Sequence, residues 1–427
     1  MAGYGPESPF EETLSQLDPE LSAAIGSELA RQRSTLDLVA SESVPPRAVL
    51  EAQGSVLTAK YADGYPAERD YDTCEWIDEI ERLAMDRAKA LFGADHANVQ
   101  PYSGASANAA VLHALCEPGD VVLGFDFAHG GHPTQCGSET FAGRNYRAFA
   151  YHVRREDRLV DMDEVELLAR RHRPRVVFAG WSCYTRHLDF ARFRAIADEI
   201  GAALVVDMAH MAGLVAAKVH PDPVPLADAC TMTVHKTLGG ARGGAILCRG
   251  ELAERIDAAV YPGEQGCPLP HVIAAKAVTF KLAGTGEFRE RMERTVAGAR
   301  TMAQVLVEAE PRTRAVVVTG GTDVHQLLVD LAPAGHEAWA TLRRLNKIGI
   351  SANAISLAYD PLEKPGCSGL RFGATALASR GFAREHFAEV GAILADALAS
   401  RGEDRDGSLA GRVAELTGAM PLYPYLA

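Results

Sequence analysis

Apolar positions along this chain follow two alternating periods. Leu17, Leu21, Ile25 and Leu29 recur every four residues in an acidic stretch, the spacing of one helical face. Residues 1–35 are therefore expected to form a helical arm that packs on something else, such as a second subunit. Leu36-Asp-Leu-Val-Ala-Ser-Glu-Ser43 is a short apolar run ending in polar groups, and Pro45-Pro46 is placed to open a helix through Leu57. Trp76 to Phe92 is strongly amphipathic. Further on, the apolar runs Val121–Phe125, Arg175–Ala179 and Ala203–Asp207 read as strands, with a helix over 190–200. This alternation predicts an α/β fold with a mostly parallel central sheet and helices on both faces. Arg242–Leu247 reads as one more strand, His271 to about Glu310 as a long bridging helix, and the rest as a smaller α+β domain containing the strand Gln326–Asp330. The expected organisation is an arm over 1–35, a large domain over 36–290 and a small C-terminal domain over 291–427.

The segment Lys60–Glu75 fits neither period. It is rich in Tyr, Asp, Gly and Pro, and is about as long as an ordered functional loop becomes. Tyr61, Tyr65 and Tyr71 argue against a merely solvated loop, because rings with hydroxyls usually contact something. Tyr261–Pro270 is a second glycine/proline loop. Asn98–Asn108 breaks into a helix running to Leu115, which leaves Ser103, Gly104 and Ala105 at its N-terminus. Free N–H groups and the helix dipole suit a phosphate there, although Ser-Gly before a helix is more often only a cap.

Composition narrows the class. The 427 residues are 47% hydrophobic and 23% charged, an ordinary globular balance. A net charge of −13 argues against nonspecific binding to nucleic acid or anionic membrane. No apolar run approaches the ~20 residues of a membrane span, and the first residues lack the basic start and apolar core of a signal peptide. The eight cysteines are scattered without a CxxC pair, so they read as reduced thiols rather than zinc ligands, and a cytoplasmic location is expected.

The chemistry is concentrated around Thr233-Val-His-Lys-Thr-Leu-Gly-Gly-Ala-Arg-Gly-Gly244. Shortly before it, the apolar strand 203–207 ends on Asp207, followed by Ala209 and His210. A buried strand that ends in Asp delivers the carboxylate to the edge where open α/β sheets bind ligands. Lys236, beside His235, could hold a carbonyl cofactor as a Schiff base, with Asp207 keeping a pyridine nitrogen protonated. A solvated surface lysine is the competing reading. His129 and His132 flank a Gly-Gly pair, where they could ligate a metal or cover a cofactor ring; no third ligand is suggested nearby. Arg371 emerges from the pattern Ser368–Gly373 and could grip a carboxylate bidentately or be half of a structural ion pair.

At this point the chain resembles the serine hydroxymethyltransferase family. The resemblance runs from about residue 20 almost to the C-terminus, on the runs LDLVASES, EAQGSVLTAKYADGYP, HANVQPYSGASAN, HGGH, VVDMAHMAGLVAA, TVHKTLGGARGG and PGEQGCPLPHVIAAKAV. It implies the type I fold of pyridoxal 5′-phosphate enzymes and a homodimer with shared active sites, with a tetramer left open. It also implies roles. Lys236 would carry the cofactor aldehyde and Asp207 would pair with the ring nitrogen. His132 and Ala209 would cover the two ring faces, and His210 and Ser182 would meet the ring hydroxyl. Ser103, Gly104 and Ala105 would hold the phosphate, with His235 nearby and Tyr61 and Gly266 arriving from the neighbouring subunit. Arg371 and Ser41 would bind the substrate carboxylate, Thr233 would assist exchange at the lysine, and no metal is implied. Tyr71 and the position of Asp63 would serve the substrate.

Several positions depart from the family pattern. Asp63 stands where the family has glutamate, and Asp70 where it has the first of two adjacent tyrosines. Ile355 replaces an asparagine that meets the pterin, Phe127 and Pro133 replace leucines, and Cys267 replaces a glycine. These changes cluster where folate would bind and put the use of tetrahydrofolate in question. The expectation drawn from them is a folate-independent threonine aldolase or transaldolase of specialised metabolism, such as antibiotic biosynthesis. The alternatives are a folate-dependent hydroxymethyltransferase on serine or α-methylserine, and a catalytically silent fold that binds a partner.

Overall fold

The computed structural model describes residues 8–360, 368–400 and 406–426. Its large sheet has seven strands: β1 (His96–Asn98), β2 (Val121–Phe125), β3 (Arg147–Tyr151), β4 (Val176–Gly180), β5 (Ala203–Asp207), β6 (Ala229–Thr233) and β7 (Gly244–Cys248). They lie in the order β1-β7-β6-β5-β4-β2-β3. The run β3-β2-β4-β5-β6 is parallel, while β7 is antiparallel to both its neighbours.

Successive side chains of a strand point to opposite faces, and here both faces are covered. Val177, Ala179, Leu204 and Val206 pack into one core with Phe193 and Leu214. Val176, Phe178 and Val205 pack into another with Val111 and Leu112. Double burial is why these strands read as continuous apolar runs rather than alternating ones.

A second, antiparallel sheet holds β8 (Val316–Val317), β9 (Gln326–Asp330), β10 (Asn353–Ile355) and β11 (Gly369–Gly373), in the order β8-β9-β11-β10. Helices α1 (Gly286–Thr313) and α2 (Arg384–Ala399) line its core. The large mostly parallel sheet and the smaller C-terminal layer match the expected fold class.

Local differences have physical causes. Leu36 and Leu38 enter the core of the small layer, and Leu36–Asp37 pairs with Ile350–Ser351, so this segment, expected in the large domain, packs with the small one. The helix expected through Leu57 ends at Gln53, where Gly54 caps it, and a 3₁₀ turn follows. The long bridging helix is two, Pro270–Ala283 and α1, broken at Gly284 and restarted by the Thr285 side chain accepting from the Phe288 N–H.

Lys60–Glu75 contains a two-residue hairpin, Gly64–Tyr65 with Glu68–Arg69, too short for sequence periodicity to register. Its anchor is Arg69, which donates to Asp78 at 2.8 Å and Glu81 at 2.6 Å, with both pairs withdrawn from solvent. The arm helix Pro19–Ser34 buries no residue; Ile25 stays 54% exposed, which leaves the expected apolar stripe uncovered in a single chain. No helix among the described residues is long and apolar enough to cross a membrane.

Candidate active site

Asp207 ends β5 and is 3% exposed. Its approach to β4 is possible because Gly180 ends that strand: a Cβ there, at φ +145°, would meet the Asp207 carbonyl oxygen at 2.3 Å. Asp207 Oδ2 accepts from Asn108 Nδ2 at 2.9 Å and Gln135 Nε2 at 3.3 Å, and Oδ1 from the Ala209 N–H at 3.0 Å. All three donors are neutral. The carboxylate is thus oriented without being neutralised, and can offset a positive charge brought by a ligand.

Lys236 lies in the turn that follows β6. The turn is closed by Gly239 N–H donating to the Lys236 carbonyl at 2.9 Å and by the Thr237 hydroxyl donating to the His210 carbonyl at 3.0 Å. Burial lowers the Lys236 pKa to about 8; Asp207 opposes the shift and Arg371 adds to it. An amine in that range has a usable neutral fraction near pH 7, as a Schiff-base lysine requires. This removes the reading of Lys236 as a solvated surface residue.

Thr231, Asn108, Thr134 and His132 form a hydrogen-bonded chain around Asp207. The Thr231 hydroxyl donates to Asn108 Oδ1 at 2.6 Å, and Asn108 Nδ2 also donates to Thr134 Oγ1 at 2.9 Å. Thr134 Oγ1 lies 2.7 Å from His132 Nδ1. With the Thr134 oxygen already accepting, its proton points to His132, which orients that ring. Burial lowers the His132 pKa. His129 turns elsewhere, packing edge-on against His152 and Tyr359, so the two histidines do not converge on one point. Pro133 opens the short helix Pro133–Cys136.

The helix Gly104–Leu115 begins beside this cluster. Ser103 caps it by accepting from the Ser106 N–H at 3.0 Å, so the N–H groups of Gly104 and Ala105 stay free for a ligand. Space there is tight: a Cβ on Gly104 would lie 2.5 Å from Thr233 Oγ1. His235 accepts from the Gly243 N–H at 3.3 Å, and burial, with Arg242, lowers its pKa to about 3.

Arg371 emerges from β11 and is 8% exposed. It donates to Asn353 Oδ1 at 2.9 Å and to the Ser182 carbonyl at 2.9 Å, with Cys183 Sγ at 3.4 Å. Among the described residues no carboxylate pairs with it, so the reading of Arg371 as half of a structural ion pair fails. A buried, uncompensated guanidinium suits an incoming carboxylate. Ser41 follows Ala40, which packs directly on Gly373 at the end of the same strand.

Ala209 and His210 are buried beside Asp207, and burial holds the His210 pKa well below its ordinary value. His210 shares a hydrogen bond with His325, and both rings stack with Trp181. His325, Asn353, Asn108 and Gln135 were missed by sequence reasoning. Asn108 had a signal, as a polar residue on the apolar helix behind the Ser-Gly turn; the others had none.

A second cluster lies apart. Tyr61 and Tyr71 meet edge to face with centroids 5.3 Å apart. The Ala62 N–H donates to Cys267 Sγ at 3.3 Å, and the Tyr102 hydroxyl to the Cys267 carbonyl at 2.6 Å. This brings Asp63, Tyr71, Gly266 and Cys267 to one surface. Asp63 Oδ1 is buried without a hydrogen-bond partner. Tyr261 donates to Asp70 Oδ2 at 2.6 Å. No hydrogen bond links this cluster to Lys236, Asp207 or Arg371 among the described residues. Phe127 is 63% exposed and Ile355 half-buried at the end of β10.

The first cluster fits pyridoxal phosphate in its donors: an amine of lowered pKa, an oriented carboxylate, a free helix N-terminus in a tight cradle, and an arginine without an acid. Comparison with known proteins agrees. The family model described as serine hydroxymethyltransferase matches residues 14–394. A protein named serine hydroxymethyltransferase from Nocardia farcinica is 55% identical, over 96% of this chain and 95% of its own. Serine hydroxymethyltransferase 2 of Mycobacterium tuberculosis is 52% identical, over 98% and 99%. A serine hydroxymethyltransferase from Clavibacter sepedonicus is 53% identical, over 97% of each.

Proposed function

The chain belongs to the serine hydroxymethyltransferase family of pyridoxal-phosphate-dependent enzymes, and on that premise we propose that it moves the hydroxymethyl carbon of serine to tetrahydrofolate, and back. The names of its relatives favour this alternative over the folate-independent threonine aldolase or transaldolase expected from the departures at the folate site. Asp70, a change that weighed against folate, has one carboxylate oxygen held by the Tyr261 phenol, which fixes where its negative charge points without neutralising it.

The observation that carries the proposal is the pairing of Lys236, of lowered pKa, with Arg371, which lacks an acidic partner. One takes an aldehyde and the other an amino-acid carboxylate. When bound, the cofactor supplies an electron sink for the pair of electrons released as Cα–Cβ breaks.

The chain's own residues do the rest. Asp207, held by Asn108, Gln135 and Ala209, would keep the ring nitrogen protonated. Gly104, Ala105 and Ser103 would hold the phosphate, with His235 alongside. His132 and Ala209 would cover the ring, and His210 and Ser182 would meet its hydroxyl. Arg371 and Ser41 would bind the substrate carboxylate and so orient the substrate for cleavage. Thr233 closes the cradle beside Lys236.

Tyr61, Asp63, Tyr71 and Gly266 complete the site of a second copy of the chain. The exposure of Tyr61, Tyr71 and Gly266 in a single chain supports this, as does the uncovered face of the arm helix. Asp63, its Oδ1 unsatisfied, takes the proton of the serine hydroxyl as formaldehyde leaves. Phe127, Pro133 and Ile355 line the folate side.

Steady-state assays of the loaded enzyme with L-serine and L-threonine, each with and without tetrahydrofolate, test the proposal. Serine turnover should depend on folate and exceed threonine cleavage. Acetaldehyde from threonine as the faster, folate-independent reaction would reinstate the aldolase reading.

A further inference from the structure

His325 precedes β9 of the small sheet, and His210 follows β5 of the large one. The two rings meet between the sheets, His210 Nδ1 to His325 Nε2 at 3.3 Å, and both stack with Trp181. His325 has no exposure to solvent and His210 only 2%. The charged groups facing the pair are Lys236 and Arg371, and the other titratable neighbours are His132 for His210 and His220 for His325. Two cations and this degree of burial keep both imidazoles neutral, so each ring carries a single N–H.

Which nitrogen carries it follows from the neighbours. His325 Nδ1 is buried without a hydrogen-bond partner, and the Ala40 backbone near the ring favours its protonated form, as an acceptor does. A lone pair held against that carbonyl would be repelled, so Nδ1 holds the proton. His325 Nε2 is then the acceptor, and His210 must donate from Nδ1. That leaves His210 Nε2 as a lone pair with no hydrogen bond among the described residues, on a ring that feels the charge of Lys236.

We propose that His325 is a positioning residue that fixes His210 as a hydrogen-bond acceptor toward the ring hydroxyl of the cofactor. The assignment rests on the cofactor reading above. It also ties the two sheets together. The His325 carbonyl accepts from the Ala374 N–H at 2.9 Å, Gly373 donates to the Leu38 carbonyl at 2.7 Å, and Ala40 packs against Gly373. The segment that presents Ser41 therefore also sets the tautomer of His210. Seating a substrate carboxylate between Ser41 and Arg371 would report directly to the cofactor hydroxyl through Ala40, His325 and His210.

The first test uses apoprotein of the full chain carrying ¹⁵N-labelled histidine, with His210→Asn and His325→Phe assigning the two rings. The expected spectrum shows both rings as Nδ1–H tautomers. His210 protonated on Nε2 overturns the proposal, and this readout does not depend on the cofactor.

The second test follows the visible absorption band of the loaded protein against pH. His325→Phe keeps a ring against Trp181 but removes the acceptor, and should move the band's midpoint by on the order of 1 pH unit. His325→Gln, which restores an acceptor, should bring it back toward wild type. Unchanged midpoints in a His325→Phe protein whose circular dichroism and melting match wild type overturn the proposal. If wild type shows no such band, the cofactor reading fails, while the tautomer spectrum still decides the histidine assignment.

Discussion

The Tyr261 phenol donates a 2.6 Å hydrogen bond to the Asp70 carboxylate, and this raises the Tyr261 pKa to about 12. The pair joins the Lys60–Glu75 and Tyr261–Pro270 loops at the rim where folate is proposed to bind. Asp70→Asn should bring the Tyr261 titration down toward the ordinary tyrosine range, read by ultraviolet difference spectra at alkaline pH. Tyr261→Phe should free the carboxylate and raise the KM for tetrahydrofolate several-fold, with the KM for serine little changed. An unaltered folate KM would show that Asp70 lies outside the folate path.

Lys236 gives a pH dependence with a defined sign. Its folded pKa is about 8 against an ordinary value of 10.5, so the folded apoprotein binds the proton less well than the unfolded chain. The lysine therefore costs stability below pH 8, and that cost disappears as pH rises from about 8 through the unfolded pKa. Lys236→Met apoprotein should melt above wild type at pH 7, and the difference should shrink at alkaline pH. The rate of cofactor capture by wild-type apoprotein should rise with pH, with a midpoint near 8. A midpoint near the ordinary lysine value would contradict the burial assigned to this amine.

Gly104 tests the phosphate cradle. A methyl group there would lie 2.5 Å from Thr233 Oγ1, too close for either to stay in place. Gly104→Ala should weaken cofactor affinity by at least about tenfold, equivalent to roughly 1.4 kcal/mol, as measured by equilibrium dialysis. Gly104→Ala with Thr233→Gly should recover part of the loss, because the clash is with that side chain.

Much of this arrangement was legible because it is local. The strand 203–207 is covered on both faces and so is apolar throughout, which makes the carboxylate at its end conspicuous. Lys236 sits in a glycine-rich turn, and Ser103–Ala105 at a helix start. What stayed hidden depends on distant chain. His325 and Asn353 come from the small sheet, and nothing in their own neighbourhoods marks them. Leu36 and Leu38 read as the opening of the large domain, yet they bury against the small one, where Leu36–Asp37 pairs with the distant Ile350–Ser351. The engagement of Asp70 by Tyr261 spans 191 residues of sequence, so Asp70 alone read as a free charge.

Asp207 should be necessary for chemistry and dispensable for folding. Its contacts are three neutral donors, so Asp207→Asn loses the charge while keeping the size. kcat should fall by at least about 10²-fold, the scale of a preorganised electrostatic contact, with the melting temperature shifted only slightly. A large loss of stability with modest loss of kcat would reassign Asp207 to the core.

The separation of the Tyr61 cluster from Lys236 predicts complementation between subunits. Tyr61→Ala and Lys236→Ala proteins should each be nearly inactive, and refolding them together should restore part of the activity, because one site of a mixed dimer then holds both intact residues. No recovery from a mixture shown to exchange subunits would place Tyr61 and Lys236 in one chain's site.

The central claim is transfer of the serine side-chain carbon to folate, and carbon NMR of a single reaction tests it most directly. Loaded enzyme is mixed with [3-¹³C]serine and tetrahydrofolate, and the label is followed. The account predicts that the labelled carbon leaves serine and appears as the methylene group of the folate adduct, with one glycine formed per label moved and no transfer by Lys236→Ala. Label that remains in serine, while the same enzyme cleaves threonine to acetaldehyde and glycine without folate, would contradict it.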